Sequence, residues 1–166
     1  MIIITSYRLE EQADFCFVRT NEAGNCPICG GRLTVRGERQ RIVKESDEKE
    51  IKLMIRRMKC DRCGKLHHEL PDCIVPYKRY SAGTIEAIIE GKDGGIVCEI
   101  GTIRRIRQWW KIAVEYYLNI LKTLAEKYEI QFHEPPLFKE IIRAVVNSNN
   151  WICSKIICTR SELATG

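Results

Sequence analysis

Two hydrophobic periods divide the chain. Ile2, Ile3 and Ile4 form one apolar run and Phe15, Phe17 and Val18 a second, with the polar stretch Glu10 to Asp14 between them. Two short apolar runs around a polar turn predict a β-hairpin. Leu33 and Val35, then Ile51, Leu53 and Ile55, alternate with polar neighbours, and period-two alternation predicts half-buried strands. The polar segment Glu45 to Glu50 between them predicts a turn. Past residue 80 the spacing becomes three and four. Ser81 stands as an N-cap before Ile85, Ile88 and Ile89, and Gly91 with Gly94-Gly95 ends that helix. A short apolar piece, Ile96 to Ile100, is followed by a turn at Gly101. A long helix is then expected from Thr102, its stripe running through Ile103, Ile106, Trp110, Ala113, Tyr117, Ile120, Leu124 and Tyr128. Pro135-Pro136 breaks it. Leu137, Ile141, Ile142, Val145 and Val146 predict a further helix, interrupted by the polar run Asn147 to Asn150 before Trp151, and the last six residues read as frayed.

The expected class is α+β: an N-terminal β-hairpin and a zinc ribbon, then a helix-turn-helix and C-terminal helices. The divisions are 1–25, a β segment on the ribbon; 26–70, the ribbon; 71–80, an extended connector; 81–118, the helix-turn-helix; and 119–166, a helical extension. The 166 residues are 45% hydrophobic and 30% charged, which fits a folded chain and excludes disorder as its main state. No run approaches the ~20 apolar residues of a membrane span. The start has no basic segment ahead of its short apolar run, so the cytoplasm is the expected location.

Cysteine usage sharpens this picture. Cys26-Pro27-Ile28-Cys29-Gly30 and Cys60-Asp61-Arg62-Cys63-Gly64 are two loops of one form. Two residues between cysteines let one tight loop offer both sulfurs to a single ion, and the following glycine permits a turn with positive φ. The intervening chain is long enough for a β-hairpin that joins the loops. The expected cofactor is Zn2+, held by Cys26, Cys29, Cys60 and Cys63. Such a closed site offers no position to substrate water, so its role is structural. His67, His68 and Cys73 are rival ligands. Adjacent histidines on a strand point to opposite faces, so at most one of them turns inward. Cys16 and Cys98 read as small core residues. Cys153 and Cys158, five apart on a helix, do not face each other.

The net charge of +5 is unevenly spread. Residues 32–65 carry 12 basic and 6 acidic side chains, and Arg104, Arg105, Arg107 and Lys111 fall within eight residues that hold no acid. Localised basic blocks suit a polyanion. If Ile103, Ile106 and Trp110 face the core, then Arg104, Arg105, Gln108 and Lys111 face outward with Arg107 flanking them. Arginine pairs with guanine and glutamine with adenine. Arg36, Arg39, Arg41, Arg56 and Arg57, spread along strands, are expected to meet phosphates.

The succession CPICG, CDRCG, LPDCIVPYKRYS and TIRRIRQWWK resembles the N-terminal module of bacterial insertion-sequence transposases. It is also similar to small zinc-ribbon and helix-turn-helix proteins that accompany mobile elements. The resemblance covers about residues 26–112 and implies recognition of element ends or an operator. Transposases of this kind continue into a nuclease domain whose separated carboxylates hold two metals. The residues after 112 look helical and are too few for it.

The reading that results is a sequence-specific DNA-binding protein without catalysis, a regulator or accessory factor of a mobile element. Its partner is double-stranded DNA, with a homodimer or a transposase as further partners. The alternative is an adaptor docking on a transposase or RNA polymerase.

Overall fold

The computed structural model describes residues 1–22 and 24–151. Cys153, Cys158 and the end of the C-terminal extension lie outside the described residues. Six strands form one sheet: β1 (Ile2–Ile4), β2 (Arg8–Gln12), β3 (Phe15–Arg19), β4 (Leu33–Lys44), β5 (Glu50–Cys60) and β6 (Leu66–Pro71). Three helices follow: α1 (Ala82–Ile89), α2 (Ile100–Tyr128) and α3 (Phe138–Asn147). The class is α+β, as the two periods indicate.

β5 is the spine. One edge pairs with β4 over nearly its whole length, from Leu33 opposite Cys60 to Lys44 opposite Glu50. The other edge is shared: Arg57–Lys59 pair with β6, and Leu53 and Met54 pair with β3 in parallel. Leu53 and Ile55 point into the core, as their alternation requires. A bulge between Val35 and Glu38, with Gly37 at φ 129°, bends β4 away from its partner.

The N-terminal hairpin forms from different strands than expected. Its arms are β2 and β3, with Gln12 opposite Phe15. Ile2–Ile4 instead lie parallel to Glu69–Pro71 of β6. Three consecutive buried isoleucines suit a strand covered on both faces. Asn147 then completes the outer edge of β1: its Oδ1 accepts from Ile3 N–H at 2.7 Å and its Nδ2 donates to Ile3 O at 3.0 Å. The polar run that interrupts the last apolar stripe thus stands in for a strand neighbour.

Ser81 caps α1, accepting from Thr84 N–H at 3.3 Å. Ile96 to Ile100 does not form a separate helix between α1 and α2, and Gly101 is not a turn. The helix begins at Ile100, and Val97 N–H is tied to Ser46 O at 2.7 Å. The tight two-helix unit expected over 81–118 is therefore replaced by α1, an irregular loop and one 29-residue helix. The loop's Gly94-Gly95 has too little side chain to pack as a helix. Gly101, in the first turn of α2, sits where its low helix propensity matters little.

The buried face of α2 is Ile106, Trp109, Ala113, Tyr117 and Leu121. This is the expected stripe turned by one residue at the tryptophans: Trp109 is buried, while Trp110 is half-buried against Phe138 with ring centroids 5.1 Å apart. Tyr128, at the far end of the expected stripe, is exposed. α3 packs on α2 and β1 through Ile141, Ile142 and Val145. A second, small core of Ile2, Leu33 and Met58 lies at the other end of the β4–β5 ribbon, beside the paired cysteines.

Candidate metal centre and basic groove

The β4–β5 pairing brings Leu33 opposite Cys60 and so sets the two cysteine loops side by side. Each loop closes in the same way. Gly30 N–H donates to Cys26 O at 2.8 Å, and Gly64 N–H to Cys60 O at 3.1 Å. Gly30 and Gly64 have φ 72° and 70°, the left-handed conformation that glycine adopts without strain. Gly31 is required for a different reason. A Cβ there would lie 2.7 Å from Arg62 Cβ and 2.8 Å from Cys60 Sγ, so only glycine lets the loops meet.

The Sγ atoms of Cys26, Cys29, Cys60 and Cys63 all lie within 4.8 Å of one another. Cys26 and Cys63 are 3.7 Å apart, and Cys29 and Cys60 3.5 Å. These are non-bonded distances, and all four thiols are free. Four sulfurs on a tetrahedral ion with bonds of ~2.3 Å stand ~3.8 Å apart, so the tetrad fits a metal ion with little adjustment. Its electrostatics agree. The Cys60 thiol is pulled down to about 7, chiefly by the Cys63 backbone N–H on its sulfur. At Cys29 the Gly31 N–H favours the thiolate, but desolvation and the neighbouring sulfurs outweigh it and push the thiol up to about 12. Sulfurs this close cannot all ionise unaided; a cation among them reverses that repulsion.

Of the rival ligands, His67 is buried and its Nε2 lies 3.4 Å from Cys26 Sγ, outside the tetrad itself. Burial lowers its pKa, and the neutral ring can donate an N–H to a thiolate. Such an outer contact orients a metal ligand. His68 points the other way and meets Arg39 Nη1 at 3.4 Å. Cys73 lies beside Tyr7 and Asp72, where burial pushes its thiol up.

The basic residues separate into groups. Arg105 and Gln108 on α2 line a groove of about 820 Å3 whose far wall is Tyr77, Lys78, Arg79 and Lys44. Trp109, Ile106 and Ile112 form its apolar floor, and Lys78 Nζ stands 4.0 Å above the Trp109 ring. A second depression of about 680 Å3 holds Arg39, Arg41 and Lys44 and shares Tyr77, Lys78 and Arg79 with the first. The two basic blocks of the sequence therefore meet across the connector 71–80. The sequence pattern suggests only a plain link there. Its bonds to β4 make it a wall: Lys44 N–H donates to Arg79 O at 2.8 Å, and Ser81 N–H to Lys44 O at 2.9 Å. The alternating aromatic and basic residues of Tyr77-Lys78-Arg79-Tyr80 are the signal in the sequence that could have found it.

Other basic residues serve the fold or stand apart. Arg56 makes a two-pronged pair with buried Glu69, its Nη2 donating to Oε1 at 2.9 Å. Arg107 donates to Ile88 O at 3.0 Å and to Asp93 Oδ1 at 2.6 Å, fastening α2 to α1 and its loop. Arg36 is exposed at the bulge of β4, Arg57 is half-buried on β5, and Arg104 and Lys111 are exposed on α2 but do not line the groove. No helix among the described residues is long and apolar enough to cross a membrane.

No curated protein and no solved structure matches the chain. A family model described as a domain of unknown function (DUF6431) matches residues 26–106, a span that contains both cysteine pairs, the connector and the start of α2.

Proposed function

We propose that the protein binds double-stranded DNA through the basic groove, on a scaffold fixed at one end by a structural zinc ion in a ribbon. The observation that carries this reading is the shared wall Lys44, Tyr77, Lys78 and Arg79, which joins the β4 arginines and the outward face of α2 into one surface on which cations outnumber the acids Glu48, Glu50 and Glu99. Arg39, Arg41 and Arg79 suit phosphates. Arg105 and Gln108 carry the donor pairs that suit guanine and adenine edges. The metal proposed is zinc because four thiolates in a tetrahedron are its usual structural site. The two loops on the β4–β5 hairpin have the layout of a zinc ribbon. The role is binding, and the resemblance to transposase N-terminal modules favours a regulator or accessory factor of a mobile element.

The test is binding of a labelled duplex pool at rising salt, followed by sequencing of the bound fraction. Affinity should fall linearly with log salt, and one sequence should be enriched. Absence of binding at low salt would reject the reading. The adaptor alternative draws on Ile112, Tyr116 and Leu118, which are exposed along α2. It predicts partner capture with no salt-dependent DNA affinity.

A further inference from the structure

The turn that divides the groove carries a tyrosine where the backbone favours glycine. Lys78 N–H closes the turn on Val75 O at 3.1 Å, with Pro76 and Tyr77 between them. Tyr77 has φ 60°. Proline followed by a residue of positive φ is the arrangement of a type II turn, whose third position selects glycine or asparagine. A bulky side chain there is strained. Pro76 is buried and anchors the turn, but the Tyr77 ring is 64% exposed, so packing does not repay the strain. Strain kept at an exposed aromatic side chain between two basic depressions points to a task for that ring.

We infer that Tyr77 stacks on a nucleobase that has left the helical stack, and that the groove beside it receives that base. This rests on the DNA-binding reading. The neighbourhood matches each part of a nucleotide. The floor is apolar, made of Ile106 and of Trp109 with Lys78 Nζ above its ring; Gln108 and Arg105 offer donors to a base edge, and Arg79 offers a cation to a phosphate on a lining that also carries Glu48 and Glu99. An acidic peptide would satisfy the cations but leave the aromatic ring and the apolar floor unused. Stacking needs only a π-face, so the contact tolerates any base.

The experiment uses the full metal-loaded chain and two short duplexes of one sequence, fully paired or with a single unpaired 2-aminopurine. The parent should prefer the bulged duplex and change the fluorescence of the probe. Tyr77→Ala should lose roughly 5- to 140-fold on the bulged duplex, the equivalent of ~1–3 kcal/mol per stacked base, and little on the paired one. Tyr77→Phe should retain the preference. Tyr77→Gly should lose it while melting at or above the parent's temperature, because the turn is relieved. Equal affinity of the parent for both duplexes, or equal effects of Tyr77→Ala on both, would overturn the inference and leave DNA binding standing. A parent that binds neither duplex would overturn both.

Discussion

At the scale of single residues, the metal site was legible because its determinants are local. Cys-x-x-Cys-Gly specifies a loop within five residues, and Gly30 and Gly64 take the positive φ that the pattern implies. Gly31 was not legible, because the atoms it must avoid belong to the second cysteine loop, far along the chain. Gly31→Ala should force Cys60 and Arg62 aside, weaken metal retention and cost about 1–3 kcal/mol, the usual range for overpacking. Competition with a colour-changing chelator reads the first effect and urea unfolding the second. Arg56 shows the opposite limit. Its charge invites a phosphate, yet it is committed to Glu69, a carboxylate only 1% exposed. Removing either side of a buried pair strands the other charge, at a cost of about 3–5 kcal/mol. Glu69→Ala should therefore lower the urea midpoint far more than substitution of an exposed arginine such as Arg36. If Arg56→Ala leaves stability intact and weakens only DNA binding, the pair is not what holds that residue.

At the scale of elements, periodicity predicted the three helices and most strands, but not β2, whose Glu10 to Gln12 it assigned to a turn, nor which strands meet. β1 pairs in parallel with β6, at the far end of the sheet-forming segment, and no local pattern encodes that choice. The faces of α2 were nearly right. One residue of helix is about 100°, so moving the buried tryptophan from Trp110 to Trp109 redirects the outer face and separates residues that looked equivalent. Arg105 and Gln108 face the groove, while Arg107 turns to Asp93. Arg105→Ala should accordingly relax preference at one base position, worth ~1–3 kcal/mol of discrimination. Arg107→Ala should loosen the packing of α1 on α2 and lower the melting temperature without changing that preference. Binding-site selection repeated with each variant distinguishes them, and the reverse result would exchange their roles. On β4, Arg39 and Arg41 lie at the second depression. Replacing both with alanine should weaken binding to all sequences alike and flatten the salt slope by about one for each phosphate no longer neutralised. An altered sequence preference at an unchanged slope would show that they read bases.

At the scale of the whole molecule, two cores of unequal size share the same strands. Ile3, Ile4, Leu53 and Ile55 belong to the large core with the helices, whereas Ile2, Met58 and Cys60 belong to the small one. Three apolar side chains beside four sulfurs bury too little surface to hold two loops, so an ion held by the tetrad would supply the difference there. Removing it with a chelator should open the loop end first. The thiols of Cys26, Cys29, Cys60 and Cys63 become reactive and amide protection disappears around Leu33 and Cys60, while α2 and α3 keep most of the helical circular dichroism. Simultaneous loss of the helical signal would mean that the shared strands couple the cores into one unit. Acid should act as the chelator does, because protons compete with the ion for the thiolates. In the empty site the Cys29 thiol is pushed up and resists ionisation, whereas the folded Cys60 thiol titrates near 7, below the ordinary 9.0. The stability it contributes is therefore complete above about 9 and disappears as pH falls through about 7. A bound dication favours the thiolates further and moves that window to lower pH. The loaded protein should thus keep its metal at neutral and alkaline pH and release it on acidification, with protons taken up as the ion leaves. Metal release that is independent of pH would exclude thiolates as the ligands.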